Sequence, residues 1–462
     1  MKERFVIIGG NAAGLSAASK ARRENPDLEI VVLEKSTWAS YGACGLPYYL
    51  KGDVKDLEDL VAISPEVFRK ERNIDLRLNH EVTKIEPENK TITINTSSGK
   101  TSLAYHKLLI STGAKAVKPR IEGINLPGVF SLRNMDDAQK IKHYLTEYSP
   151  KSVLIIGGGY IGMEMAEAFY SLGMTVHIIE LFPHLLNSFG SEIAEVVEQH
   201  IKNYANLHLG KLVRNVQINN INNINNGQLL VQFAAEQDKT GENLVTDLIL
   251  VATGIAPEVS LAKEAGIKLG KTGAIATDGY GKTSIPDIYA AGDCAEVKHI
   301  VTGKPVYIPL ALSANRNGRA VGSTIGGKAT PLAPVAGTAV VKVFQLEVAT
   351  TGITSLEVAR KHGFDPLKIT IASSSRAGYY PGAKPIKISL LADSFGGRLL
   401  GASMVGEEGV AKRIDIIATA LLAGFTVEEL ENLDLAYAPP FSPVWDPVLT
   451  AAKVLTNKLI TW

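Results

Sequence analysis

Residues 152–181 read SVLIIGGGYIGMEMAEAFYSLGMTVHIIEL. An apolar run meets a glycine turn, a segment of helical spacing follows, and a second apolar run closes on Glu180, which is the pattern of a strand, a turn, a helix and a strand. Gly157, Gly159 and Gly162 each have a physical use there: a tight turn, close approach of backbone N–H groups to a pyrophosphate, and close packing of helix on strand. A carboxylate at the end of the second strand can accept both hydroxyls of an adenosine ribose. The stretch reads as a βαβ unit that binds a dinucleotide.

Working outward, residues 4–35, RFVIIGGNAAGLSAASKARRENPDLEIVVLEK, repeat the design. Gly9 and Gly14 keep the outer glycines, Asn11 stands in the middle position, and Glu34 ends the second strand. Two such units imply two dinucleotides, and for a redox enzyme the expected pairing is a tightly held flavin with a diffusible nicotinamide.

Composition agrees with that class and excludes others. The chain has 462 residues, with 48 basic and 47 acidic side chains, so it lacks the field expected of a nucleic-acid or acidic-membrane binder. Apolar residues make up 45% and Gly numbers 42, as in a core-rich α/β protein with many tight turns. The run FVII near the N-terminus is too short for a signal-peptide core, and IIATALLAGF (416–425) falls short of a membrane span. A cytoplasmic protein is expected, with small-molecule partners. Its two cysteines, Cys44 and Cys294, make neither a disulfide framework nor a metal cluster, and no metal site is expected.

Two other regions have a readable pattern. QINNINNINNG (217–227) is a low-complexity tract whose Asn-Asn-Gly ending predicts a hairpin turn. From about 335 onward, strands at TAVVKVF, IKISLLAD and RLLGASMVG and a long amphipathic helix around 408–424 predict a separate α+β domain.

The motifs resemble those of the two-dinucleotide flavoprotein disulfide reductases over nearly the whole chain. LLISTGAKA (108–116) and DLILVATGIAP (247–257) look like the crossings between that family's flavin and nicotinamide domains, and TSIPDIYAAGDCAE (283–296) looks like the motif whose aspartate, here Asp293, holds the flavin ribityl chain. Cys294, inside that motif, reads as a buried packing residue. The resemblance implies an α/β fold of two Rossmann-like dinucleotide-binding domains plus a C-terminal α+β dimerisation domain. Expected boundaries are 1–114 and 255–330 for two parts of the FAD-binding domain, 115–254 for the NAD(P)H-binding domain and 331–462 for dimerisation. It further implies FAD contacts at Gly9, Asn11, Ala12, Gly14, Glu34, Lys35, Val82, Ser111, Thr112, Gly113, Arg133, Gly292, Asp293 and Ala311. Nicotinamide contacts are implied at Gly157, Gly159, Tyr160, Ile161, Gly162, Glu164, Glu180 and Gly254, with Tyr160 gating the nicotinamide face.

SYGACGLPYY (40–49) contains one cysteine where glutathione-reductase-like members have two. It resembles the single-cysteine branch: coenzyme A disulfide reductases, their polysulfide-reducing relatives, NADH oxidases and NADH peroxidases. The second sulfur must then come from outside the chain, or Cys44 must itself be oxidised. Pro47 suits the first turn of a helix, which would put Cys44 at a helix N-terminus and lower its thiol pKa toward neutrality.

Within the branch, the oxidases and peroxidases carry a histidine where this chain has Ala12, which cannot move a proton. YYPGA (379–383) and AYAPPFSPVWDP (436–447) resemble the coenzyme A disulfide reductases, whose C-terminal tyrosines reach the partner subunit's cysteine. By position these are Tyr379 and Tyr437, with Tyr380 the alternative to the first, and each could protonate a departing thiolate. Arg23 and Ser40 match residues that contact coenzyme A, beside Lys20 and Arg22 at the same helix end. Ala43 departs from the branch, which often has asparagine there, and with Trp462 soon after the dimer domain no fused rhodanese domain is expected. The expected activity is reduction of coenzyme A disulfide, or a related persulfide or polysulfide, by a homodimer. NADH is favoured over NADPH, because Leu181 and Phe182 supply no cation beside Glu180. An NADH oxidase is the alternative, and a rubredoxin- or ferredoxin-type electron-transfer reductase a more distant one.

Overall fold

The computed structural model describes residues 2–221, 224–238 and 241–460. Trp462 and residues 222–223 of the asparagine-rich tract lie outside them.

Two parallel five-stranded sheets carry the two glycine turns. The first runs in the order Ile288–Ala290, Lys107–Ile110, Arg4–Ile8, Glu29–Leu33 and Asp75–Arg77. The second runs Ala205–Leu209, Thr175–Glu180, Ser152–Ile156, Leu248–Val251 and Val129–Ser131. Continuous Val, Ile and Leu along the central strands follow from burial on both faces. Both glycine turns open at carboxyl ends of strands, where open parallel sheets leave a crevice. The two segments expected to cross between domains pair with each other: Ala114–Ala116 runs antiparallel to Ile255–Pro257.

The C-terminal region is an antiparallel sheet of five strands, backed by the helices Val410–Ala423 and Pro447–Ile460. Three strands match the sequence pattern; Leu346–Gly352 and Pro366–Ser374 were not read from it. The hairpin of the asparagine tract also needs correction. Strands Lys211–Ile221 and Ile224–Ala235 pair up to Ile221 with Ile224, so Asn225, Asn226 and Gly227 lie within the return strand and not at the turn. The register shifts between Ile218 and Asn220, and Gly227 takes a positive φ of 77° in the extra length opposite that shift, as an irregular ladder requires.

One buried carboxylate ties the three sheet regions together. Glu167, on the helix after the second glycine turn, accepts from the Phe344 N–H at 2.9 Å, from Lys342 and from Lys51 at 3.2 Å. Lys51 closes the helix Leu46–Lys51, which begins just after Cys44.

Candidate active site

Each glycine turn is shaped by what stands behind it. Gly9 has φ +105°, and a Cβ there would lie 2.2 Å from the Ser111 carbonyl oxygen. At Gly14 it would lie 2.0 Å from the Gly9 carbonyl. The second turn repeats this with Gly157, φ +110°, whose Cβ would meet the Ala252 carbonyl at 2.5 Å, and Gly162, whose Cβ would meet the Gly157 carbonyl at 2.2 Å. Glu34 accepts from the Gly10 N–H at 2.8 Å, and Glu180 from the Gly158 N–H at 2.6 Å. Each acid keeps lone pairs for a ribose.

One continuous cleft of about 2600 Å³ joins the turns and passes Cys44. Asn11, Ala12, Ser111, Gly113, Arg133, Gly292, Asp293 and Ala311 line its first end, and Gly157, Gly159, Tyr160, Ile161, Glu164, Glu180 and Gly254 its second. Glu34 and Lys35 line a smaller adjoining cavity. Five expected contacts line neither cavity: Gly9 and Gly14, whose Cβ positions face the backbone behind the turn, and Val82, Thr112 and Gly162. The Val82 side chain is buried in the core, the Thr112 hydroxyl donates to the Glu258 carbonyl at 2.6 Å, and Gly162 serves helix-on-strand packing.

The first end fits a flavin dinucleotide. Its glycines let the turn lie tight against the backbone behind it, where a Cβ on Gly9 or Gly14 would strike a carbonyl, and so leave the N–H side of the turn bare toward the cleft. The Asp293 carboxylate is held at 2.8 Å by Arg133 beside it, and the buried Tyr307 hydroxyl has no protein partner. Both are groups that a polar ligand would satisfy. Tyr307 was not anticipated, because no motif marks it. The second end has the matching set for a nicotinamide dinucleotide.

Cys44 sits in the short helical turn Ala43–Gly45, directly before Leu46–Lys51, and opens to solvent. Despite that opening, the crowded cleft wall strips hydration from the sulfur and pushes its thiol above the ordinary value. The Glu164 carboxylate adds to this and Arg133 opposes it. The expected lowered pKa is thus overturned. The helix has only six residues and spends a first-turn position on Pro47, which has no N–H to offer the sulfur. Glu164 itself is pushed up to about 7 by burial, against the Tyr48 hydroxyl at 3.5 Å and with Glu167 adding to the rise. Cys294 is fully buried, its sulfur 3.4 Å from the Ile110 and Ala291 carbonyls.

Arg23 and Ser40 both line the cleft, with Ser40 at φ 55° and its N–H on the Gly10 carbonyl at 3.0 Å. Lys20 and Arg22 do not: Lys20 pairs with Glu24, and Arg22 donates to the Pro26 and Asn73 carbonyls. Arg72, which the sequence did not single out, joins the cleft wall with its guanidinium on the Ser19 hydroxyl.

Tyr379 and Tyr437 lie outside this cleft, 76% and 44% exposed, with their hydroxyls 3.2 Å apart. Fifty-eight positions separate them, and a buried ion pair brings their loops together. Arg413 binds Asp446 at 2.8 Å and donates to the Ser375 and Phe441 carbonyls, while the Ala377 N–H reaches the Pro439 carbonyl at 3.2 Å.

Two dinucleotide turns facing one accessible sulfur define a two-dinucleotide oxidoreductase of the disulfide-reductase type. Residues 3–318 match the family described as pyridine nucleotide-disulphide oxidoreductase, and residues 338–447 match its dimerisation domain. The chain belongs to that family, whose cofactors are FAD and NAD(P)H. It is 40% identical to an NAD(P)H coenzyme A polysulfide/persulfide reductase of Pyrococcus horikoshii, over 98% of this chain and 99% of that one. It is 35% identical to an NADH oxidase of Methanocaldococcus jannaschii, over 99% of each. The crystal structure of reduced Bacillus anthracis CoADR-RHD superposes with a TM-score of 0.94 at 37% identity, covering all of this chain and 81% of that one. No helix among the described residues is long and apolar enough to cross a membrane.

Proposed function

We propose that this chain, as a cytoplasmic homodimer, reduces coenzyme A disulfide, or a related coenzyme A persulfide or polysulfide, with a reduced nicotinamide dinucleotide. The observation that carries the reading is a single accessible thiol, Cys44, between two dinucleotide turns, with the chain's other cysteine, Cys294, sealed in the core.

Asn11, Ser111, Arg133, Gly292, Asp293 and Glu34 would hold the FAD, and Gly157, Gly159 and Glu180 the nicotinamide dinucleotide, with Tyr160 gating its access. When bound, FAD supplies a two-electron relay between the nicotinamide and sulfur. The Cys44 thiolate attacks one sulfur of the substrate disulfide, forming a Cys44–coenzyme A disulfide and expelling one coenzyme A thiolate. Tyr379 and Tyr437 of the partner subunit donate a proton or hydrogen bond to that leaving sulfur; their exposure on their own chain and their mutual contact fit such a role. Two electrons from the nicotinamide then cleave the mixed disulfide, regenerating the Cys44 thiolate and releasing the second coenzyme A. The sum is NADH, a proton and coenzyme A disulfide giving NAD⁺ and two thiols. Arg23, Ser40 and Arg72 offer the charge and hydrogen bonds that the nucleotide end of coenzyme A needs.

Cys44→Ser tests the reading. The variant is expected to keep bound flavin and its reduction by NADH while losing disulfide turnover by a factor of about 10³ or more. Turnover near the parent rate refutes the mechanism. Loss of oxygen-driven NADH consumption alone, with no parent activity on any coenzyme A disulfide, establishes the oxidase reading instead.

A further inference from the structure

A nicotinamide site built on Glu180 disfavours NADPH, because the 2′-phosphate meets a carboxylate and Leu181 and Phe182 bring no cation. The fold supplies one from another strand. Thr175–Glu180 pairs in parallel with Ala205–Leu209, placing Leu209 in register with Glu180, and the Gly210 N–H donates to the Phe182 carbonyl at 3.0 Å. The next residue, Lys211, therefore stands beside the loop that follows the ribose carboxylate, at the carboxyl end of the sheet, and it lines the same cleft as Glu180 and Phe182. Its ammonium packs 5.5 Å from the centre of the Phe233 ring, on the central strand of the small antiparallel sheet, and reaches across it to pair with Glu242 on the far strand Glu242–Thr246. Arg120 and Glu236 also line the cleft.

We propose that Lys211 is a specificity-determining residue that lets the enzyme accept NADPH as well as NADH, by meeting the 2′-phosphate that Glu180 repels. The inference rests on the reading that the second glycine turn binds the nicotinamide dinucleotide. Glu242 sets the balance. It holds the ammonium at the edge of the site and competes with the phosphate for it, so NADPH use is partial. A lysine on this strand escapes a reading confined to the loop after Glu180, because the register of two strands, not sequence proximity, brings it there.

The test is the ratio of kcat/KM for NADPH to that for NADH in the flavin-loaded dimer. Lys211→Met is expected to lower the ratio about tenfold, the effect of one charge-assisted contact. Glu242→Gln, which keeps the shape but frees the ammonium, is expected to raise it. In the parent, added salt should raise KM for NADPH more steeply than KM for NADH. A ratio that stays at the parent value in Lys211→Met, or a fall in both nucleotides by the same factor, overturns the role of Lys211. A parent flavin reduced by neither nucleotide overturns the underlying nucleotide reading, and the role of Lys211 with it.

Discussion

The two glycine turns are near copies, yet their surroundings differ. In both, the first glycine needs a positive φ and the closing glutamate accepts from the second glycine's N–H. Around the first turn a further helix, Ala311–Ile325, lies against Ala12–Glu24 at backbone distance. A Cβ on Gly318 would come within 2.1 Å of the Ala13 carbonyl, and one on Gly322 within 2.2 Å of the Ala17 carbonyl. The second turn has no counterpart to this helix among the described residues, and the loop beside it exposes Leu181 and Phe182 by about half. On the proposed assignment the same motif serves a retained and an exchanged ligand, and what differs between the two turns is the packing outside the motif. Burial slows release of the first dinucleotide, while an open rim lets the second leave each turnover.

The largest expected effect separates the turns directly. Gly9→Ala and Gly157→Ala each force a Cβ onto a carbonyl and an L-residue into a left-handed conformation, at a cost of about 3 kcal/mol or more, near a hundredfold. Gly9→Ala should purify with its flavin largely lost. Gly157→Ala should keep its flavin, read from visible absorbance, while NADH reduces it about a hundredfold more slowly. Loss of flavin from both variants would break the comparison.

Next in size is the charge at the boundary between the halves. Glu164, on the helix after the second turn, titrates near pH 7 and opposes ionisation of Cys44 when charged. Removing that charge in Glu164→Gln stabilises the thiolate, so the thiol pKa falls. Alkylation of Cys44 by iodoacetamide should speed up several-fold, about tenfold at most, in buffers above pH 7 where the parent carboxylate is ionised. Below pH 6 the parent carboxyl is already neutral, and the two rates should converge. Equal rates at pH 8 would remove Glu164 from any role in setting Cys44 chemistry.

The smallest effect concerns stability. His177 and His208 are neighbours on the second sheet, 3.3 Å apart, and burial holds both below the ordinary imidazole value, with His208 adding to the fall for His177 and Lys211 adding to it for His208 against Glu242. The unfolded chain takes up these protons more readily than the fold does, so stability is lost as pH falls below about 6.5. Because both rings are half-exposed and screened, His208→Gln should soften the acid decline in Tm by only about 1–2 °C between pH 7 and pH 5. A first sheet that melts before the second in acid, followed by hydrogen exchange, would reverse the expected order.

The parts legible in the sequence were those with local cause. Glycine spacing marked both turns, and the lone cysteine between small residues marked the sulfur that the cleft leaves accessible. Strand Leu346–Gly352 was missed because its alternation breaks down into Ala-Thr-Thr after Val348, whereas Pro366–Ser374 does alternate at Leu367, Ile369 and Ile371 and carried a signal that was passed over. The Cys44 thiol was misjudged for another reason. Its surroundings are assembled from Glu164 and Arg133, residues about a hundred positions away, and no local window contains them. The contact between Tyr379 and Tyr437 has the same character, since Arg413 and Asp446 create it.

The first sheet is completed late. Its strand Lys107–Ile110 stays unpaired on one side until Ile288–Ala290 arrives, 180 positions further on, after the whole second sheet. During synthesis at roughly 5–20 residues per second, that gap lasts on the order of ten to forty seconds. Throughout it the nascent chain presents a bare, apolar strand edge, the kind of template on which neighbouring chains aggregate. Shelter of that edge during synthesis is then an expected requirement for a good yield of folded chain, separate from the strength of the finished core.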